Sequence, residues 1–207
     1  MIRFVSQQID KHNYSKLYNL TEAATGTFSK LYPWYIESII RPEEGMKFLD
    51  LGCGTGSIVS FLPKGEYRGL DNDKARIKLA QKRYGHLAEF DYFDFSNNWP
   101  EGIAQNYDVV MANGVIHHLN DEQTKNLLNF SHYALKGGGR FVSFDGVRIK
   151  NQSWFRKAML DLDRGKFVRT ADEYIRLIGS VYSGPQFEIK RDLLRVPYDL
   201  IFFTCKK

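Results

Sequence analysis

The chemistry-bearing residues of this chain begin in one short run, Lys47-Phe48-Leu49-Asp50-Leu51-Gly52-Cys53-Gly54-Thr55-Gly56-Ser57. Apolar residues lead into Asp50, and glycine follows at every second position. The run therefore reads as a buried strand, a glycine-rich turn and the start of a helix. Gly52, Gly54 and Gly56 let the backbone turn sharply and keep side chains from standing between the peptide groups and a ligand. A ligand there would lie against free backbone N–H groups at the helix start. Asp50 would hold the loop by accepting hydrogen bonds and would set a negative potential beside the ligand. Cys53 sits inside the same turn, where a filled ligand site leaves it no room to act as a nucleophile.

A second acid, Asp71, closes the strand-like run Tyr67-Arg68-Gly69-Leu70-Asp71, about 20 residues beyond the first glycine. A carboxylate at that distance suits both hydroxyls of a ribose. Asn72-Asp73-Lys74-Ala75 then opens a helix, which Gly85 can end. Both acids could instead cap that helix. The strand-end position favours the ligand role for Asp71, and capping suits Asp73. Further on, His117 and His118 stand side by side after another apolar run. An unperturbed imidazole titrates near neutrality, so either can serve as a general base or can pack and hydrogen-bond beneath a ligand.

Two ligand classes use such a turn. The dinucleotide fingerprint Gly-x-Gly-x-x-Gly/Ala ends in a small residue that lets helix and strand pack closely. Here the third glycine comes one place early, at Gly56, and Ser57 stands where the small residue belongs. Asp50-Leu51-Gly52-Cys53-Gly54-Thr55-Gly56 instead resembles the first motif of the class I S-adenosylmethionine-dependent methyltransferases. That donor has no pyrophosphate to cradle, and an acidic glycine-lined turn suits its amino-acid end.

The resemblance continues in the family's order from about Met46 to Asp145. It runs through Glu89-Phe90-Asp91-Tyr92-Phe93-Asp94-Phe95, through the segment from Tyr107 to Leu119, and through Ala134-Leu135-Lys136-Gly137-Gly138-Gly139-Arg140-Phe141-Val142-Ser143. It implies S-adenosyl-L-methionine as cofactor and S-adenosyl-L-homocysteine as product. Asp50, Gly52, Gly54 and Gly56 would hold the amino-acid end, with Cys53 beside them. Asp71, followed by Asn72, would hold the ribose. Asp94 with Phe95 would hold the adenine. Asp91 is the alternative register, and an exposed acidic turn beside core aromatics is the bland one. Ala112 and Asn113 would line the sulfonium through their backbones, and Tyr14 and Tyr18 would close over the donor. His118 aligns better than His117 with the histidine of O-methylating relatives.

Strand and helix patterns alternate throughout this core, which predicts an α/β fold. The expected architecture is a doubly wound, mostly parallel seven-stranded sheet, the Rossmann-like methyltransferase fold, with an antiparallel C-terminal hairpin of Phe187 to Val196 and Tyr198 to Cys205. One methyltransferase domain is expected over 1–207. Residues 1–45 form a helical cap, with Tyr14, Leu17, Tyr18 and Leu20 on one helical face and Phe28, Leu31, Tyr32, Tyr35, Ile36 and Ile39 on a second. Residues 46–146 form the cofactor-binding core, 147–185 a substrate-side insertion with helices near 154–160 and 172–180, and 186–207 the hairpin. By resemblance, cap and insertion cover the open end of the sheet.

Composition sets outer limits. At 207 residues, 43% of them apolar and 14% aromatic, the chain is long enough for a proper core. No segment reads as a signal peptide or a membrane span. Two cysteines, Cys53 and Cys205, offer no disulfide framework, so a reducing cytoplasm is the expected location. Neither His-x-x-x-His nor Cys-x-x-Cys occurs, so no metal site is expected. A net charge of +5 is modest, and 29 basic residues are interspersed with 24 acids. That pattern, with no RNA-binding module, argues against nucleic acid as the partner. The insertion does carry Arg148, Lys150, Arg156, Lys157, Arg164, Lys166, Arg169 and Arg176, which suit either an anionic acceptor or a solvated face of salt bridges. The expectation is methyl transfer to oxygen or nitrogen of a small molecule. An RNA methyltransferase, a dehydrogenase and a non-catalytic cofactor-binding protein are the alternatives. No motif specifies an oligomeric state.

Overall fold

The computed structural model describes residues 25–95, 99–100, 102–163 and 165–207. Seven strands form one sheet: β1 Lys47–Leu51, β2 Glu66–Asp71, β3 Glu89–Tyr92, β4 Tyr107–Asn113, β5 Leu135–Gly146, β6 Gln186–Lys190 and β7 Leu200–Lys206. Their order is β3-β2-β1-β4-β5-β7-β6. The first five strands pair in parallel, while β7 runs antiparallel to both β5 and β6. The chain therefore winds outward from β1 in one direction and from β4 in the other. Their carboxyl ends flank the crevice where a doubly wound sheet binds its ligands.

The strands hold because they are apolar on both faces. In β1, Phe48 packs into one buried cluster with Val109, Met111, Val142 and Phe202. Its neighbour Leu49 packs into the other, with Val110, Phe141 and Leu128. Successive strand residues point to opposite faces, so each contributes to one of two cores, as a parallel sheet covered on both sides requires. Burying each such side chain contributes roughly 1.5–3 kcal/mol.

Helices cover both faces. A helical stretch, α1, runs through Thr27–Leu31, Tyr32–Tyr35 and Ile36–Ile40, with wide π turns in its outer parts. It buries Leu31, Tyr32 and Tyr35 of the predicted apolar face, together with Ile40, while Phe28, Ile36 and Ile39 are half-buried. The first predicted cap helix, with Tyr14 and Tyr18, lies outside the described residues. The others are α2 Lys74–Tyr84, α3 Asp121–Ala134, α4 Trp154–Leu162 and α5 Ala171–Gly179. Side chains begin them: Asp73 accepts from the Ala75 and Arg76 N–H groups, and Asn120 with Gln123 and Thr170 with Glu173 form capping boxes.

Two local expectations need correction. The glycine turn does not enter an α-helix, but a short 3₁₀ helix, Ser57–Phe61. Leu62 precedes Pro63, which disfavours helical backbone at Leu62, and Leu62 is extended at φ −87 and ψ 150. The C-terminal strands are also shorter and farther apart than a tight hairpin. Residues 191–199 leave the sheet because Asp199 is fully buried and anchors the loop: it accepts from Gln152 at 2.6 Å and pairs with Arg156 at 2.6 Å.

Candidate cofactor turn and acceptor cavity

The turn after β1 is built by its glycines. Gly52, Gly54 and Gly56 have φ of 76, 58 and 73, the left-handed region that side chains resist. A β-carbon on Gly52 would come within 2.5 Å of Val115 Cγ2, and one on Gly56 within 2.4 Å of Phe90 Cε1. The missing side chains thus let the turn settle against its own neighbours.

The turn's donors are also used internally. Gly52 and Cys53 N–H both donate to the Leu70 carbonyl, at 2.7 and 3.0 Å, and Gly56 N–H donates to the Cys53 carbonyl at 3.0 Å. Gly54 N–H donates to Asp71 Oδ2 at 2.8 Å, while Asp71 Oδ1 accepts from Asp73 N–H at 2.8 Å. The N–H groups of Gly52, Cys53, Gly54 and Gly56 are therefore taken up within the protein. A short 3₁₀ helix, not a full α-helix, stands behind the turn, so the macrodipole that favours a pyrophosphate is small. What the turn offers is acidic. Asp50 is buried, accepts from the Tyr67 hydroxyl at 2.6 Å through Oδ2, and has no partner for Oδ1. Burial pushes its carboxyl up to about 7, against the Tyr67 hydrogen bond and with help from the charge of Asp71. Thr55 Oγ1 is a second buried atom without a partner.

The remaining cofactor candidates follow the strand ends. Asn72 is exposed directly after Asp71, and Asp94 is half-buried just past β3. Phe95 packs edge-on against Phe93 at 5.2 Å and lies 6.3 Å from Phe130. Asp91, the alternative register, is taken up by Arg68 at 2.9 Å. Ala112 is buried at the end of β4, and beside it Asn113 accepts from the Tyr35 hydroxyl at 2.8 Å, leaving its Nδ2 buried and unpartnered.

Asn113 also belongs to the wall of a cavity of about 580 Å³. Its polar wall includes Asn113, His117, Asp145, Asp163, Thr25, Thr27 and the Tyr32 and Tyr198 hydroxyl-bearing rings. Leu31, Phe144, Met159, Leu162, Leu194 and Val196 supply most of the apolar wall. A second cavity, of about 540 Å³, is lined in part by Trp99, His132 and Tyr133 and includes no residue of the strands.

His117, and not His118, faces the first cavity; His118 is exposed. Both sit in the 3₁₀ turn Ile116–His118, where successive side chains point roughly 120° apart, so two adjacent residues do not share one wall. His117 is anchored twice to Asp145: its backbone N–H donates to Oδ1 at 3.0 Å, and its Nδ1 lies 2.7 Å from the same oxygen. On the other side, Nε2 lies 3.7 Å from Asp163 Oδ1, and Asp163 Oδ2 accepts from the Tyr198 hydroxyl. Burial alone would lower the imidazole pKa. The hydrogen bond and charge of Asp145, with Asp163, outweigh it and hold the pKa above its ordinary value.

Sequence reasoning missed Asp145, Asp163 and Tyr198. Asp145 had a usable signal, an acid near the carboxyl end of a parallel strand, the argument that singled out Asp71. Asp163 and Tyr198 come from loops far apart in the chain and carry no such signal. Nor did linear spacing reveal that His117, His118 and Asp163 bring side-chain nitrogen and oxygen atoms within 4.8 Å of one another.

The basic insertion resolves differently from an anion pocket. Arg148 pairs with Asp161 at 2.7 Å, and Arg156 with Asp192 and Asp199. Arg169 donates to the Ile116 and Leu119 carbonyls and to Asp121. Lys150, Lys157, Lys166 and Arg176 are exposed, and Arg164 lies outside the described residues. Among the described residues, no lysine or arginine lines the cavity.

Residues 49–141 match the family model described as a methyltransferase domain. Solved structures show the same fold. A phosphoethanolamine N-methyltransferase from Haemonchus contortus, in complex with phosphomonomethylethanolamine and S-adenosylhomocysteine, superposes with a TM-score of 0.70 at 15% identity, covering 89% of this chain and 54% of its own. A TehB-like S-adenosylmethionine-dependent methyltransferase from Corynebacterium glutamicum gives 0.66 at 21% identity, covering 95% and 98%. The [4+2]-cyclase SpnF gives 0.65 at 14%, covering 86% and 79%. This chain thus spans about half the length of the first of these proteins and nearly all of the second. No curated protein matches the sequence. The chain thus carries a match to a methyltransferase domain over 49–141 and shares its fold with these structures.

Proposed function

We propose that the protein is a methyltransferase that uses S-adenosyl-L-methionine to methylate oxygen or nitrogen of a small molecule bound in the 580 Å³ cavity. The observation that carries this reading is the position of Asn113. It ends β4, the strand paired with β1 through Asp50 and Met111, and it also forms part of the cavity wall. Glycine turn and cavity therefore meet at one strand end.

The residues fit such a donor. The turn presents carboxylates in place of free amides, which suits a cationic sulfonium amino acid and disfavours a pyrophosphate. Asp50 Oδ1, Thr55 Oγ1, Asn113 Nδ2 and Asp145 Oδ2 are buried polar atoms without partners, spread over the turn and the β1, β4 and β5 ends. Asp50 and the glycine turn would hold the amino-acid end, Asp71 with Asn72 the ribose, and Asp94 with Phe95 the adenine. Ala112 and Asn113 would lie beside the sulfonium, and Tyr14 and Tyr18 are candidates for closing over the donor. When bound, the donor supplies an electrophilic methyl group on cationic sulfur.

The chain's own work is to align the acceptor, exclude water and move a proton. Asp145 holds the His117 Nδ1 proton, which leaves Nε2 facing the cavity as the base. His117 Nε2 takes the acceptor's proton, and Asp145 stabilises the imidazolium that results. The free thiols of Cys53 and Cys205 support a cytoplasmic location. Among the described residues, no helix is long and apolar enough to cross a membrane.

Calorimetry with S-adenosylhomocysteine and with NAD tests the cofactor. Micromolar binding of the former is expected, and binding of NAD alone would replace this reading with the dehydrogenase one. Fold alone does not fix the reaction, since a protein named a cyclase shares it. Transfer of a labelled methyl group to a small-molecule fraction separates turnover from cofactor binding without chemistry. RNA binding with a steep salt dependence would favour the nucleic-acid alternative.

A further inference from the structure

The acceptor cavity has a consistent charge. Asp145 and Asp163 face it with carboxylates, and His117 is the one group among its lining residues that can carry a positive charge. Asp145 is 1% exposed, and its Oδ2 has no partner among the described residues. Asp163 reaches Tyr198 through one oxygen and stands 3.7 Å from His117 Nε2 through the other. Most of the remaining wall is aliphatic or aromatic. With His117 protonated the three groups sum to −1, and with His117 neutral to −2. An entering monocation brings the total to zero or −1, whereas an entering monoanion makes it −2 or −3 behind largely apolar walls, where uncompensated charge is costly.

We infer that the acceptor is an amine on an apolar body, entering as its ammonium form between Asp145, Asp163 and His117, and that carboxylated or phosphorylated compounds are rejected. This inference rests on the reading of the cavity as the acceptor site and names its substrate class. An ammonium nitrogen has no lone pair for attack, so it must lose a proton before methylation. The Asp-flanked imidazole supplies that acceptor at Nε2. The nitrogen–hydrogen bond breaks, its electron pair stays on nitrogen, and the proton passes to His117. The neutral amine then carries the pair that forms the new nitrogen–carbon bond, while the donor's sulfur keeps the electrons of the carbon–sulfur bond that breaks.

The test uses the full chain and three probes of one shape: 3-phenylpropylamine, 3-phenylpropan-1-ol and 3-phenylpropanoate, each titrated calorimetrically with and without saturating S-adenosylhomocysteine. The amine is expected to bind at least tenfold more tightly than the carboxylate, with the alcohol between them. Asp163→Asn should weaken the amine about tenfold while leaving the alcohol within twofold, and Asp163→Glu should restore the preference. Equal or tighter binding of the carboxylate, failure of all three probes, or equal weakening of amine and alcohol in Asp163→Asn would overturn the inference. Failure of S-adenosylhomocysteine to bind overturns the cofactor reading instead, and the probe series without it still decides the amine preference.

Discussion

Gly165 passes directly over the imidazole of His117: a β-carbon at position 165 would lie 2.1 Å from His117 Cδ2. The contact is fixed from the other side, because the Phe167 N–H donates to the His117 carbonyl at 2.9 Å. The insertion therefore grips the ring and the backbone of the residue proposed as base. Gly165→Ala must displace the ring, the 165–167 segment, or both. Turnover should fall roughly 10- to 100-fold, since misplacing a catalytic group by about 1 Å can cost on the order of 100-fold. Affinity for S-adenosylhomocysteine should stay within twofold, because the contact lies away from the glycine turn. Steady-state kinetics beside calorimetry measures both, and unchanged kcat would remove His117 from the reaction.

The same imidazole sets a pH dependence. Its pKa is held above the ordinary value near 6.5, and only the neutral form can take a proton. Activity should rise with pH through that elevated pKa, with half-maximal rate above pH 6.5. Asp145→Asn removes a hydrogen-bonded charge that raises the pKa, so the rising limb should move to lower pH while the plateau falls. Stability follows the same linkage. A raised folded-state pKa gives a contribution fully present below the unfolded value and lost as pH rises through the folded one. Rate profiles and denaturant unfolding of wild type and Asp145→Asn at pH 5.5 and 8.5 measure the two effects.

The parallel winding of the sheet could be read from the sequence because apolar runs lead to recognisable residues: Asp50 one place before the end of β1, Asp71 at the end of β2 and Asn113 at the end of β4. The cavity wall could not be read in the same way. It joins a β5 residue, Asp145, to Asp163 and Tyr198, which lie in segments with no repeating pattern, and only the fold makes them neighbours. The choice between His117 and His118 turns on the phase of a single 3₁₀ turn, and composition does not encode that. The basic surplus of the insertion left two readings open for a related reason, since Arg156 and Arg169 meet partners 43 and 48 residues away in sequence.

Asp71 has an observed loop role that can be separated from its proposed ribose role. Its carboxylate already holds Gly54 and Asp73 N–H, and each oxygen keeps a second lone pair for a ribose hydroxyl. Asp71→Ala should weaken S-adenosylhomocysteine binding more than tenfold, because a lost charged hydrogen-bond pair costs roughly 1.5–3 kcal/mol. Thermal unfolding of the ligand-free variant reports the loop role alone. Unchanged affinity in Asp71→Ala would refute the ribose assignment, whatever happens to its melting temperature.

Asp50 makes the opposite stability prediction from an ordinary surface acid. Burial raises its carboxyl from 3.8 to about 7, so the folded state binds a proton that the unfolded chain releases. The resulting stabilisation is fully present below about pH 4 and is lost as pH rises through 7. At one pKa unit per 1.36 kcal/mol, the loss amounts to about 4 kcal/mol at most. Asp50→Asn retains an oxygen to accept from Tyr67 and carries no charge. Its unfolding free energy should therefore change less between pH 4.5 and 8 than that of wild type, and it should match or exceed wild type at pH 8. Paired urea titrations at the two pH values provide the measurement. Parallel pH dependence in the two proteins would mean that Asp50 stays ionised and is stabilised by a partner within the turn.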